Sequence, residues 1–176
     1  MKKALVLVGV LALTGSMLGQ GQVNFVNYKV GTVEGLVNNA AGAPADASYL
    51  AQLFASAPGA DSFEAVGVPV SFVANGYVSG GVVTIPVSII PTAGGAVDLQ
   101  LRSWAAADGA EWADLSGTYE AGTSATLALG ATGDLGTAPP VDLVGLQASA
   151  MQIVPEPSTW ALMALGLGAL ALRRRK

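Results

Sequence analysis

The sequence contains no cysteine and no histidine. Without cysteine there are no disulfides and no thiolate chemistry. Without histidine there are no imidazole metal ligands, and a Ser-His-Asp triad is excluded. Charged residues make up only 11% and aromatics only 6%, whereas an ordinary soluble domain is about 25% charged. A hydrophobic fraction of 52% excludes an acidic disordered chain. The scarcity of cations excludes a basic nucleic-acid binder, so no nucleic-acid partner is expected. Neither a metal nor any other cofactor is expected. A length of 176 residues fits one domain with appended segments.

The charges that are present are unevenly placed. Of eight basic residues, Lys2 and Lys3 open the chain and Arg173, Arg174, Arg175 and Lys176 close it; only Lys29 and Arg102 lie between. Residues 1–21 read as a secretory signal peptide. Lys2 and Lys3 form its charged start, Ala4 to Leu13 its apolar stretch, and Gly19 and Gly21 the small residues before a cleavage ahead of Gln22.

The other end runs Val154-Pro155-Glu156-Pro157-Ser158-Thr159, then an apolar block from Trp160 to Leu172, then the four cations. The prolines block helix from upstream, and Ser158 suits an N-cap. A transmembrane helix is expected over 158–172, with Trp160 at the membrane interface. It is short for a hydrocarbon core of about 30 Å, and snorkelling of Arg173 closes part of the gap. The basic tail 173–176 acts as a stop-transfer segment. It keeps the tail cytoplasmic and the rest of the chain outside, the orientation that Lys2 and Lys3 also demand.

This C-terminal arrangement resembles the PEP-CTERM sorting signal of Gram-negative bacteria. The resemblance covers residues 155–176 together with Val154 before them. It implies that the protein is a substrate of an exosortase, a membrane cysteine transpeptidase. Recognition would fall at Val154, Pro155, Glu156 and Pro157. After a transient stay at the inner membrane the product would reach the cell surface or an extracellular polysaccharide matrix. The chemistry would belong to the exosortase, and the residues here would be its substrate.

Residues 22–154 carry eleven acidic residues against Lys29 and Arg102, a formal charge of −9. Such a body repels anionic polymers. Its local pattern is mostly strand. Gln22–Tyr28, Tyr49–Ala55, Val66–Val73, Val82–Ile89, Val97–Trp104, Thr123–Leu129 and Leu143–Ile153 are short apolar or alternating runs between glycine- and proline-rich turns. Asn75-Gly76 is a strong turn dipeptide. Pro69 and Pro86 suggest edge strands or bulges. A helix over Tyr49–Ser56 is the alternative for that run. The expected fold is mainly β: one antiparallel β-sandwich, with a signal helix before it and a transmembrane helix after it. The sandwich body occupies 22–140, and its last strand and connector occupy 141–154. Its core is expected to lean on Phe25, Leu53, Phe54, Phe72, Leu101 and Trp104. The runs at Tyr49–Ala55, Val97–Trp104 and Leu143–Gln147 also look like a recurrent type of PEP-CTERM protein, a likeness that brings no activity with it.

Two constellations are candidates for chemistry. Asp108, Glu111 and Asp114 could share a calcium ion, although they lack the spacing of a calcium loop, and a solvated acidic loop is the plainer reading. Glu111 with Asp114, or Asp108 with Glu120, could form an acid/base pair, yet any acidic body offers such pairs, and no enzyme is expected. Trp104, Trp112 and Tyr119 are candidate glycan contacts. In Val97–Trp104 the residues Val97, Leu99 and Leu101 share one face, which Trp104 joins only by a parity slip. Core packing is the favoured reading for Trp104, and exposure for Trp112. The expected role is an exported, non-enzymatic structural or adhesive protein. The alternative is a carbohydrate-binding module.

Overall fold

A computed structural model describes residues 20–155. The expected signal peptide, except its last two residues, and the sorting segment from Glu156 onward, including its transmembrane helix, lie outside the described residues. Among the described residues no helix is long and apolar enough to cross a membrane.

The chain forms β1 (Gly21–Val26), β2 (Tyr28–Lys29), β3 (Val33–Asn38), β4 (Tyr49–Ser56), β5 (Glu64–Ser71), β6 (Ser79–Ile85), β7 (Val97–Ala105), β8 (Tyr119–Thr123), β9 (Leu127–Leu129), β10 (Gly133–Asp134), β11 (Val141–Asp142), β12 (Gln147–Ala150) and β13 (Gln152–Val154). The largest sheet runs β13-β8-β7-β4-β5, with β9 continuing beside β7. A second sheet centres on β1, flanked by β6 on one side and by β10 and β11 on the other; β12-β3-β2 form a third. The fold is thus mainly β and predominantly antiparallel, as expected. Two short ladders, β1 with β11 and β3 with β12, are parallel, a departure from the purely antiparallel expectation. Parallel pairing needs a long return path. The chain provides one, because β11 and β12 come at its end and β1 and β3 at its start.

The sheets share one apolar core. Alternate residues Val23 and Phe25 of β1, Val33 and Val37 of β3, and Val97, Leu99 and Leu101 of β7 point into it. Strand β4 is paired on both sides, by β5 and β7, and nearly all of it is buried. A central strand covered on both faces needs no polar alternation, so Tyr49–Ser56 is a strand despite its alanines and leucines. All six side chains expected to anchor the core are buried.

The remaining boundaries differ for physical reasons. Strand β1 opens at Gly21, one residue inside the segment assigned to the signal peptide. Strand β6 stops at Ile85 because Pro86 has no N–H for the ladder; its carbonyl instead accepts from the amides of Ile89 and Ile90. Pro69 sits in β5, at the sheet edge, opposite a register shift in β4. The run Thr123–Leu129 breaks at Ser124, whose Oγ accepts from Leu101 N at 3.0 Å. The run Leu143–Ile153 breaks into a turn and two strands. The Asn75-Gly76 turn is present, both residues having positive φ.

Candidate functional site

Strand alternation gives the largest sheet two faces. Ala51, Leu53 and Ala55 of β4 turn to the central core. Gln52 and Phe54 turn the other way, beside Arg102 and Trp104 of β7, since Gln52 pairs with Arg102 and Leu50 with Trp104. This second face is covered by the excursion between β7 and β8, which carries a single 3₁₀ turn at Trp112–Asp114.

The cover is aromatic. The Trp112 ring meets Trp104 edge-on at 5.9 Å and Phe54 at 6.0 Å. The Arg102 guanidinium lies 4.1 Å from the centre of the Phe54 ring and 5.2 Å from that of Trp112. A cation over aromatic faces is attracted by their quadrupole. Burial lowers the Arg102 pKa from its ordinary value. Its Nη2 donates to Gln100 Oε1 at 3.1 Å, while its buried Nε has no hydrogen-bond partner.

The three aromatic candidates separate. Trp104 is wholly buried, and its indole N–H donates to the Gly109 carbonyl at 2.9 Å. With no exposed ring face it has none to offer a sugar, which corrects its place among the candidate glycan contacts. The parity slip has a simple origin: Trp104 belongs to the second face, which is also covered. Trp112 is half-buried rather than free, because it is the cover. Trp112 and half-buried Tyr119 line one open groove of about 370 Å³, together with Thr123, Gln152 and Val154. On its other side Trp112 borders a depression of about 310 Å³ walled by Phe54, Val68 and Pro69.

The acidic candidates are occupied locally. Asp108 Oδ2 accepts from Glu120 N at 2.8 Å, and Asp114 Oδ2 from Glu111 N at 3.2 Å. The Glu120 carboxylate accepts from the Tyr49 hydroxyl at 3.2 Å and from Ala40 N. Desolvation, with Glu120 adding to it, raises the Tyr49 pKa. Among the described residues no group of three or more acidic side chains is placed to hold a metal ion.

At the C-terminal edge, β13 pairs with β8, Val154 opposite Tyr119. Val154 is therefore the last residue of a sheet strand and the first of the Val154–Pro157 segment. Pro155 follows, exposed. Glu156, Pro157, Arg173, Arg174, Arg175 and Lys176 lie outside the described residues. Sequence reasoning missed Phe54 and Arg102 as partners of the tryptophans. The signal was available: both fall on the same alternation as Trp104, away from Leu53 and Leu101.

The strands and this edge define a β-rich protein whose last described strand, β13, ends at Val154 in a sheet. A family model described as the PEP-CTERM protein-sorting motif matches residues 154–176. The chain carries that sorting motif at its C-terminal end. No curated protein and no solved structure matches the chain. The motif implies an exported protein processed at the membrane, with an exosortase as the processing partner.

Proposed function

We propose that this is a cell-surface or extracellular-matrix protein with a non-enzymatic, structural or adhesive role, delivered by exosortase processing at Val154–Pro157. Residues 1–21 act as the signal peptide. Residues 158–172 span the inner membrane transiently, and Arg173–Lys176 hold the tail on the cytoplasmic side. The β-strand body forms the two packed layers of a sandwich around its single core. The observation that carries the reading is the match of the sorting motif to the last residues of the chain. The body adds support: its candidate carboxylates serve as acceptors for backbone amides. Deleting Pro155–Pro157 and fractionating the cells tests the reading. The deletion is expected to hold the protein in the membrane fraction. Undiminished delivery to the surface or matrix overturns it.

A second reading, glycan binding, is favoured by one observation: Trp112 and Tyr119 line the same open groove. Its ligand would be an uncharged or cationic polysaccharide, because a body of −9 repels polyanions. A glycan array probed with the full chain and with Tyr119→Ala tests it. Binding that Tyr119→Ala weakens is expected. No binding, or binding that Tyr119→Ala leaves intact, removes it.

A further inference from the structure

The sorting motif has no linker. It begins at Val154, and Val154 is still paired with Tyr119 in the sheet. Chain geometry then limits reach. Each residue advances at most about 3.6 Å, so two residues carry a chain no more than about 7 Å beyond Val154. An enzyme that closes on Pro155–Pro157 cannot do so without meeting the β8–β13 edge.

What it meets is a shaped surface. The groove along β8 and β13 includes Val154 itself, and no charged side chain lines it. That is notable in a body with eleven acidic residues. Ile153, on the same strand, is 57% exposed on the other face, across from Glu120. Among the described residues the outer edge of β13 pairs with no strand, which leaves backbone groups free for an incoming chain. The turn from β12 into β13 lies close against Gly122: a Cβ there would lie 2.8 Å from the Ala150 carbonyl and 3.0 Å from the Met151 Cα. Met151, buried and with its amide bonded to Asn38 O at 2.8 Å, anchors the start of this edge.

We propose that the folded body is part of the sorting signal: the β8–β13 edge, through the groove with an uncharged lining that runs from Val154 to Tyr119, is a docking surface for the membrane enzyme that processes the tail. The inference rests on the sorting reading above. The partner it fits presents an uncharged, partly apolar surface on the outer side of the membrane, next to its active site.

The test follows precursor and product of the full chain by immunoblot in cells that contain the exosortase. Thr123→Arg with Gln152→Arg places bulk and charge at two exposed groove positions, and retained protease resistance of the body controls for folding. Processing is expected to slow about tenfold, the loss that a contact of about 1.4 kcal/mol gives. A flexible Gly/Ser linker of about twelve residues between Val154 and Pro155 separates motif and body by about 20 Å. It is expected to slow processing to the level of the groove variant and to make the groove substitutions silent. Groove variants processed at the native rate overturn the proposal. So does a linker that speeds processing, which would make the body an obstacle rather than a dock. A deletion of Pro155–Pro157 that leaves processing intact overturns the sorting reading itself, a distinct outcome.

Discussion

At the scale of the residue, one heavily used polar side chain is Asn27. It is fully buried at the bend between β1 and β2. Its Nδ2 donates to the carbonyls of Gly35 and Gly76 at 2.9 and 2.8 Å, and its Oδ1 accepts from Val78 N at 2.8 Å. One amide therefore ties β1, β3 and the 75–76 hairpin tip together. The hairpin tip must approach closely for this: Gly76 has φ +73°, and a Cβ there would stand 2.3 Å from the Val37 carbonyl. Asn27→Ala leaves the Gly35 carbonyl and the Val78 amide buried without these partners. Each unsatisfied buried group costs about 1–3 kcal/mol, so a loss of about 3 kcal/mol is expected. Asn27→Asp is expected to lose a similar amount, because a carboxylate cannot donate to two carbonyls. Denaturant unfolding of the purified protein measures both. Losses below about 1 kcal/mol would show that water replaces the amide. From sequence alone Asn27 reads as one more residue of the Gln22–Tyr28 strand run, since nothing local announces partners as far away in the chain as Gly76 and Val78.

At the scale of the element, the weakest strands are held by side chains. Strand β11 has two residues and a parallel ladder to β1. Asp142 on β11 pairs with the Lys29 ammonium and accepts from Asn24 Nδ2 at 2.9 Å. Lys29, and then Asn24, hold the Asp142 carboxyl below the usual carboxylate range. A folded pKa below the unfolded one makes the contribution to stability present above the unfolded value, about 3.9, and lost as pH falls through the lower folded value. Thermal unfolding followed from neutral pH down to about pH 3 should show Asp142→Asn losing less than the native chain across that acidic window. Parallel curves would mean that Asp142 plays no part in the acid loss. The strands most legible in sequence, such as β4 and β7, are the long ones whose own alternation or apolar run fixes their placement. Of the short ones, β10 and β11 could not be read there, and β12 and β13 showed only as one unbroken run, Leu143–Ile153. They are pinned by partners far away in the chain, such as Glu120 opposite Ile153. The site divided the same way. Trp112 and Tyr119 stood out by type, whereas Arg102 and Phe54 gained their roles only once β4 lay beside β7.

At the scale of the whole molecule, the distribution of charge is the property that processing changes. The intact sequence has eight basic and twelve acidic residues and an isoelectric point of about 4.5. Residues 1–21 contain two of the cations, and residues 155–176 contain four cations with one acid, Glu156. Removing both ends leaves the body with Lys29 and Arg102 against eleven carboxylates. Of the two cations, Lys29 is paired with Asp142 and Arg102 lies against Phe54 and Trp112. The surface of residues 22–154 is therefore dominated by negative charge, and its repulsion of polyanions acts over a Debye length of about 8 Å at physiological salt. The product released from the membrane should focus below the precursor's isoelectric point of about 4.5. It should also bind an anion exchanger more tightly. Two-dimensional gels of membrane and extracellular fractions read this directly. A released species that focuses with the precursor would mean that the cationic ends are retained, and delivery would then proceed without removal of the tail.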